Sequence, residues 1–158
     1  MKHWLITLSF LLLAFCAGCG TKNKVDLPDH PIVIVFENDA HCAVDGYAKL
    51  VTVREQQRAL TPYISTVSCG DFIQGDVVGS LSHGEKIIEI MDKVGYDAIT
   101  LGNHGFDYGV SQLFKLTEDW DSLVVSTNFR NHRTSELVFP AYRMIRYGEV
   151  DIAYLGFT

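Results

Sequence analysis

Basic clusters, proline and long apolar runs are what this 158-residue sequence has least of. Its 13 lysines and arginines are outnumbered by 19 aspartates and glutamates, giving a formal charge of -6, and they never gather into a run. A protein that grips a phosphate backbone presents concentrated Lys and Arg, so no nucleic-acid-binding surface is expected. Four prolines and 13 glycines are too few for a collagen-like or low-complexity chain. No uninterrupted run approaches the roughly 20 apolar residues of a transmembrane helix. What remains is ordinary globular composition, 47% hydrophobic and 20% charged, with enough length for one buried core.

The N-terminus reads as an export signal. Lys2 precedes a mostly apolar stretch, residues 4–17, broken by Thr7 and Ser9 and followed by the small residues Gly18-Cys19-Gly20. The order Ala17-Gly18-Cys19 resembles a bacterial lipoprotein signal, although Cys16 stands where leucine is usual. The expectation is therefore a signal over 1–18, lipidation at Cys19, a polar tether over 19–30 and one domain over 31–158. Such a protein is exported to the periplasm or cell envelope. Its only membrane contact is the N-terminal lipid, held by roughly 0.8 kcal/mol per buried CH₂. Only Cys42 and Cys69 then remain in the folded part. The sequence leaves open whether they pair, and two small buried hydrophobes is the favoured reading.

The body alternates strand and helix patterns. Residues 32–36 (IVIVF) form a short apolar run, as in a strand buried on both faces. Helix formers follow over 46–59, with Leu50, Val53 and Leu60 near one face. A β-branched stretch at 63–69 predicts a second strand. Ser82-His83-Gly84-Glu85 has the form of a capping box opening a helix through Val94, with Ile87, Ile88, Met91 and Val94 along one side. Residues 97–101 predict a third strand, 109–120 a helix and 123–127 a fourth strand. Residues 138–147 and 150–157 predict a hairpin across Gly148-Glu149. This order specifies an α/β fold with parallel strands, whose ligands bind beyond the strands' carboxyl ends.

Three strand ends carry metal-binding chemistry. Asp39 and His41 are two residues apart, so extended backbone would point both to one side, where carboxylate and imidazole can grip a divalent cation. Asp71 follows the second strand and offers two oxygens for two cations. Asn103 follows the third with a neutral amide oxygen, and His104 beside it faces the other way, toward substrate. Each feature alone is common; their order, each just after a strand, makes the pattern specific.

The segments Asn38-Asp39-Ala40-His41, Gly70-Asp71-Phe72-Ile73-Gln74-Gly75 and Gly102-Asn103-His104-Gly105-Phe106-Asp107-Tyr108-Gly109 resemble the calcineurin-like metallophosphoesterases. Within them, the N-terminal catalytic domain of the bacterial 5'-nucleotidase family is the nearest likeness. The resemblance implies the N-terminal portion of an α/β/β/α sandwich that hydrolyses small phosphoesters, nucleotides above all, with two divalent cations such as zinc or manganese. It implies that Asp39 and His41 hold one cation, Asn103 the other, and that Asp71 bridges them. It implies catalytic roles for His104, at the scissile phosphate, and for Asp107, paired with it. Two departures stand out: Gly105 where the family has an acidic residue, and Cys42 where glycine often follows the first histidine.

The family also completes its site with later histidines, one alone and then an H-x-H pair. After His104 this sequence has only His132, in a polar segment that reads as an exposed loop. Weak or no hydrolysis by this chain alone is thus expected, with apolar edges left uncovered. The alternatives are a noncatalytic metal- or phosphate-binding lipoprotein on the same fold, and a related phosphodiesterase or thiosulfate-ester hydrolase.

Overall fold

The computed structural model describes residues 27–120 and 123–158. The expected signal, the lipidation site Cys19 and the first part of the tether lie outside them. Among the described residues, no helix is long and apolar enough to cross a membrane.

Three parallel strands lie in sequence order: β1 (Val33–Glu37), β2 (Ile64–Ser68) and β3 (Ala98–Ile99). Val33 to Glu37 pair one-to-one with Ile64 to Ser68, while β3 contributes only two pairs. Helices α1 (Val44–Arg58) and α3 (Glu85–Val94) cover one face, joined where the Arg54 guanidinium donates to the carbonyls of Val94 and Gly95. Helix α3 has the amphipathic pattern expected of it, burying Ile87, Met91 and Val94. In α1 only Tyr47 is buried; Val53 and Leu60 are exposed, contrary to the face read from sequence. The reason is position: β1 is the sheet edge, so α1 overhangs it. Val53 and Leu50 instead line an open apolar groove of about 330 Å³ with Val35, Phe36 and Tyr47.

The capping box does not form. A short helix that the pattern missed, α2 (Val77–Ser82), ends at Ser82, and Asp76 caps its start. His83 and Gly84 both take left-handed backbone, and α3 begins at Glu85. Ser82 serves both helices, donating to the Val78 carbonyl at 2.7 Å and accepting from the Lys86 N–H at 3.3 Å. The third helical segment divides into α4 (Val110–Thr117) and a 3₁₀ turn, Glu118–Trp120.

The expected fourth strand shrinks to one parallel bridge, Ile99 with Val124. With β3 only two residues long there is little edge to extend. The chain instead turns to the second β layer, where Ser126 N–H donates to the Pro140 carbonyl and Thr127 N–H to that of Gly156. Contact there is so close that a Cβ on Gly156 would lie 1.9 Å from the Val125 oxygen. That layer is the expected hairpin, β4 (Tyr142–Tyr147) and β5 (Val150–Leu155), paired antiparallel across Gly148-Glu149. Its inner side is tied to the parallel sheet by Tyr154, whose hydroxyl sits 2.7 Å from both Ser65 Oγ and Tyr147 Oη. Its outer side exposes Tyr142, Met144 and Leu155, and Phe36 on β1 is 66% exposed. The described residues thus build helices, parallel sheet and hairpin, with the apolar surfaces uncovered as the sequence led one to expect.

Candidate metal centre

The carboxyl ends of β1, β2 and β3 converge on one rim. One ligand atom each from Asp39, His41 and Asp71 lies within 4.8 Å of the others. The extended-backbone argument does not produce this meeting. Asp39, His41 and Cys42 have φ of 53°, 41° and 64°, so a left-handed turn carries the first pair to the rim. His41 Nε2 comes 3.8 Å from Asp39 Oδ1, and the Asn38 amide donates to the other Asp39 oxygen. Backbone bonds to the second strand's loop hold the turn: His41 N–H donates to the Asp71 carbonyl at 2.9 Å and Cys42 N–H to that of Phe72 at 3.2 Å.

The tautomer of His41 follows from its neighbour. Nδ1 lies 2.9 Å from the Gln74 carbonyl, which can only accept, so Nδ1 carries the proton. The Nε2 lone pair is then free to face a cation, as is usual for a ligating histidine. Asp71 is 8% exposed, with φ of 56°. Its Oδ1 accepts the His104 N–H at 2.7 Å, so one of the two oxygens is already engaged, leaving Oδ2 unencumbered. The backbone of Gly102 is pressed against this carboxylate. Asn103 lies between Gly102 and His104 and is exposed.

Asn103 and His104 open a 3₁₀ turn, Asn103–Phe106, so they do not point apart as in extended chain. His104 Nδ1 lies 2.8 Å from Asp107 Oδ2, an i,i+3 pair made by that turn. Its ring meets that of His41 edge-on at 5.0 Å. The bond from Asp107 raises the His104 pKa above the ordinary 6.5, with Asp71 and Asp39 adding to it against partial desolvation. A histidine so placed carries its charge to higher pH than a free one.

Other sequence-singled residues stay out of the cluster. Cys42 is fully buried, its thiol donating to the Phe72 carbonyl at 3.3 Å, and burial pushes its pKa up. It packs as a thiol. Cys42 and Cys69 are both free, so they do not pair, and Cys69 is exposed, so only Cys42 is the buried hydrophobe the sequence reading favoured. His132 is exposed, as expected of its loop. Glu37, at the end of β1, stays outside the metal-ligand group, and burial raises its pKa against the hydroxyls of Ser68 and Tyr96.

No protein-family model matches the chain. A 5'-nucleotidase of Vibrio vulnificus is 30% identical over 175 residues, covering 100% of this chain and 32% of its own length. Among solved structures, the calcineurin-like phosphoesterase YfkN of Bacillus subtilis superposes with a TM-score of 0.64 at 23% identity, over 78% of this chain and 47% of that one. The sulfate thiohydrolase SoxB of Thermus thermophilus gives 0.68 at 15%, over 82% and 36%. This chain is a relative of the 5'-nucleotidases, on the calcineurin-like phosphoesterase fold. It spans about a third of the length of that Vibrio relative. The mixed N and O donors of Asp39, His41 and Asp71 suit the divalent cations on which metallophosphoesterases depend.

Proposed function

We propose that this chain carries the first part of a two-cation centre for phosphoester hydrolysis, with a nucleotide as the favoured substrate. The observation that carries the reading is the approach of Asp39, His41 and Asp71 at the carboxyl ends of parallel strands, beside the His104–Asp107 pair. In this reading Asp39 and His41 hold one cation, Asn103 the second, and Asp71 reaches both. Divalent cations supply Lewis acidity toward a phosphoryl oxygen and lower the pKa of water. His104, protonated on Nδ1 toward Asp107, directs Nε2 at the phosphate and stabilises charge that develops there. Asp107 keeps the ring charged and oriented. Export and a lipid anchor at Cys19 belong to the same proposal, since an exported phosphatase meets nucleotides outside the cytoplasm.

Four protein ligands divided between two cations leave each with few groups for tight binding. The expected outcome is weak, saturable manganese or zinc binding in an equilibrium titration that disappears in Asp71→Asn, with slow release of phosphate from a 5'-mononucleotide. Equal metal binding by wild type and Asp71→Asn would refute the site. Fast turnover abolished in Asp71→Asn would support the chemistry and refute the weak-activity part. The fold shared with a sulfate thiohydrolase makes a thiosulfate ester the second substrate to assay.

A further inference from the structure

The outer edge of β1 is open. Val33 N–H donates to the Tyr63 carbonyl at 2.8 Å and the Glu37 carbonyl accepts the Cys69 N–H at 2.9 Å, so Val33, Val35 and Glu37 turn their backbone groups toward β2. Those groups alternate in direction along a strand, so the N–H and C=O of Ile34 and Phe36 point away from β2. Among the described residues, no strand pairs with β1 on that side. Edges are commonly blunted by lysine, proline or a bulge, yet this strand reads VIVFE, with its one charge at the last position. Both faces of the edge are apolar. Ile34 is aligned with Ser65, whose hydroxyl meets Tyr154 of the hairpin, so Ile34 and Phe36 lie on the hairpin face, both exposed. Val35 lies on the helix face, where it lines the open groove with Leu50 and Val53.

This edge complements itself. Laid antiparallel on a second copy about a two-fold axis through Val35, Ile34 comes opposite the partner's Phe36, and Phe36 opposite the partner's Ile34. Both residues turn their N–H and C=O outward, so each opposed pair exchanges both of its hydrogen bonds. The same register sets a β-branched side chain against an aromatic ring on either side of the axis, a favourable cross-strand combination. Glu37 falls opposite Val33, so no like charges meet. We propose that β1 is a homodimer interface, through which two copies of this chain join edge to edge into one continuous sheet. The open groove leaves room for the partner strand, and each α1, overhanging its own edge, covers the junction. The carboxyl ends of the two β1 strands then point in opposite directions, so the two ligand rims lie apart and neither completes the other. The interface does not depend on the metal reading.

The test is disulfide trapping in the full chain, in a Cys69→Ser background because that thiol is free and exposed. Val35 opposes itself between hydrogen-bonded pairs, where Cα atoms stand about 4.5 Å apart, within disulfide reach. Ile34 is offset from its own copy by two residues, about 7–8 Å away and beyond that reach. Val35→Cys should therefore yield about tenfold or more of the dimer joined through position 35 than Ile34→Cys yields through position 34, read by peptide mass spectrometry. In the unsubstituted chain, the Ile34 and Phe36 amides should gain protection from hydrogen exchange as concentration rises, while the Val33 amide, bonded to Tyr63, is protected throughout. Phe36→Lys, at an exposed side chain, should abolish that gain. Equal trapping at positions 34 and 35, or edge amides that exchange freely at every concentration, would overturn the dimer. Protection that persists at every dilution would overturn it as well, because a segment of the same chain would then cover the edge.

Discussion

Replacing Gly102 with alanine isolates one contact at the rim. Gly102 has φ -86° and ψ -177°, ordinary extended backbone that alanine adopts without strain. Its constraint is spatial. A Cβ there would lie 2.1 Å from Asp71 Oδ1, and the three nearest atoms all belong to that carboxylate. Ordinary contact begins near 3.4 Å, so the carboxylate must retreat by about 1.3 Å. Such a shift breaks its 2.7 Å bond to the His104 N–H, a charge-assisted bond worth about 1.5–3 kcal/mol. Overpacking costs about 1–3 kcal/mol, partly the same energy, so Gly102→Ala should destabilise by about 2–4 kcal/mol in urea unfolding. The decisive assay is a double-mutant cycle with Asp71→Ala, which removes every atom in the way. In that background Gly102→Ala should cost little, giving a coupling of about 2 kcal/mol. An equal cost with and without the Asp71 carboxylate would refute the argument. Manganese affinity should fall about 10- to 100-fold in Gly102→Ala alone, as when a ligand's supporting contacts are lost.

Two further outcomes follow from the same geometry. Asp107 is the largest cause of the raised His104 pKa, so Asp107→Asn should return that histidine toward 6.5 in an NMR titration. Because the folded value is raised, the pair's contribution is complete below about pH 6.5 and lost as pH climbs through the folded pKa. The stability difference between wild type and Asp107→Asn should shrink over that window, and an unshifted His104 would refute the pairing. Tyr154→Phe removes the hairpin's link to Ser65 on β2, and the bond to Tyr147 within the hairpin, and should cost about 1–3 kcal/mol in urea. Tyr142→Phe, on the exposed outer face, should stay within about 0.5 kcal/mol, and equal effects would show that Tyr154 does not tie the layers.

Much of this architecture is legible from short-range pattern. The apolar run 32–36, the β-branched stretch before Cys69 and the 3.6-residue rhythm of Ile87, Met91 and Val94 each answer to burial, which composition records directly. The turn at Gly148-Glu149 likewise follows from local chemistry. Failures occur where a distant partner decides. Val53 carries the apolar signature of a buried position, yet nothing in its own segment says that β1 is an edge. Ser82 has the spacing of an N-cap, but it ends a helix because Asp76 has already begun one six residues earlier. Residues 123–127 are β-branched enough for a strand; what shortens them is the brevity of β3 and the pull of Pro140 and Gly156.

The site shows the same division with a sharper consequence. Residue types and their order single out Asp39, His41, Asp71 and His104 as candidates, because carboxylate and imidazole after a strand are chemically conspicuous. Their convergence depends on backbone that L-residues avoid: Asp39, His41, Cys42 and Asp71 all have positive φ. Each such residue costs on the order of 1–2 kcal/mol unless a neighbour compensates. Here compensation is mutual. The β1 loop donates His41 and Cys42 N–H to the carbonyls of Asp71 and Phe72, and Asp71 in turn accepts the N–H of His104. The three loops are therefore braced in series, first to second and second to third. A disturbance at either end reaches Asp71, the residue proposed to bridge the cations. That is why Asp71, rather than the more exposed Asp39 or Asn103, is the position where one substitution should undo the whole rim.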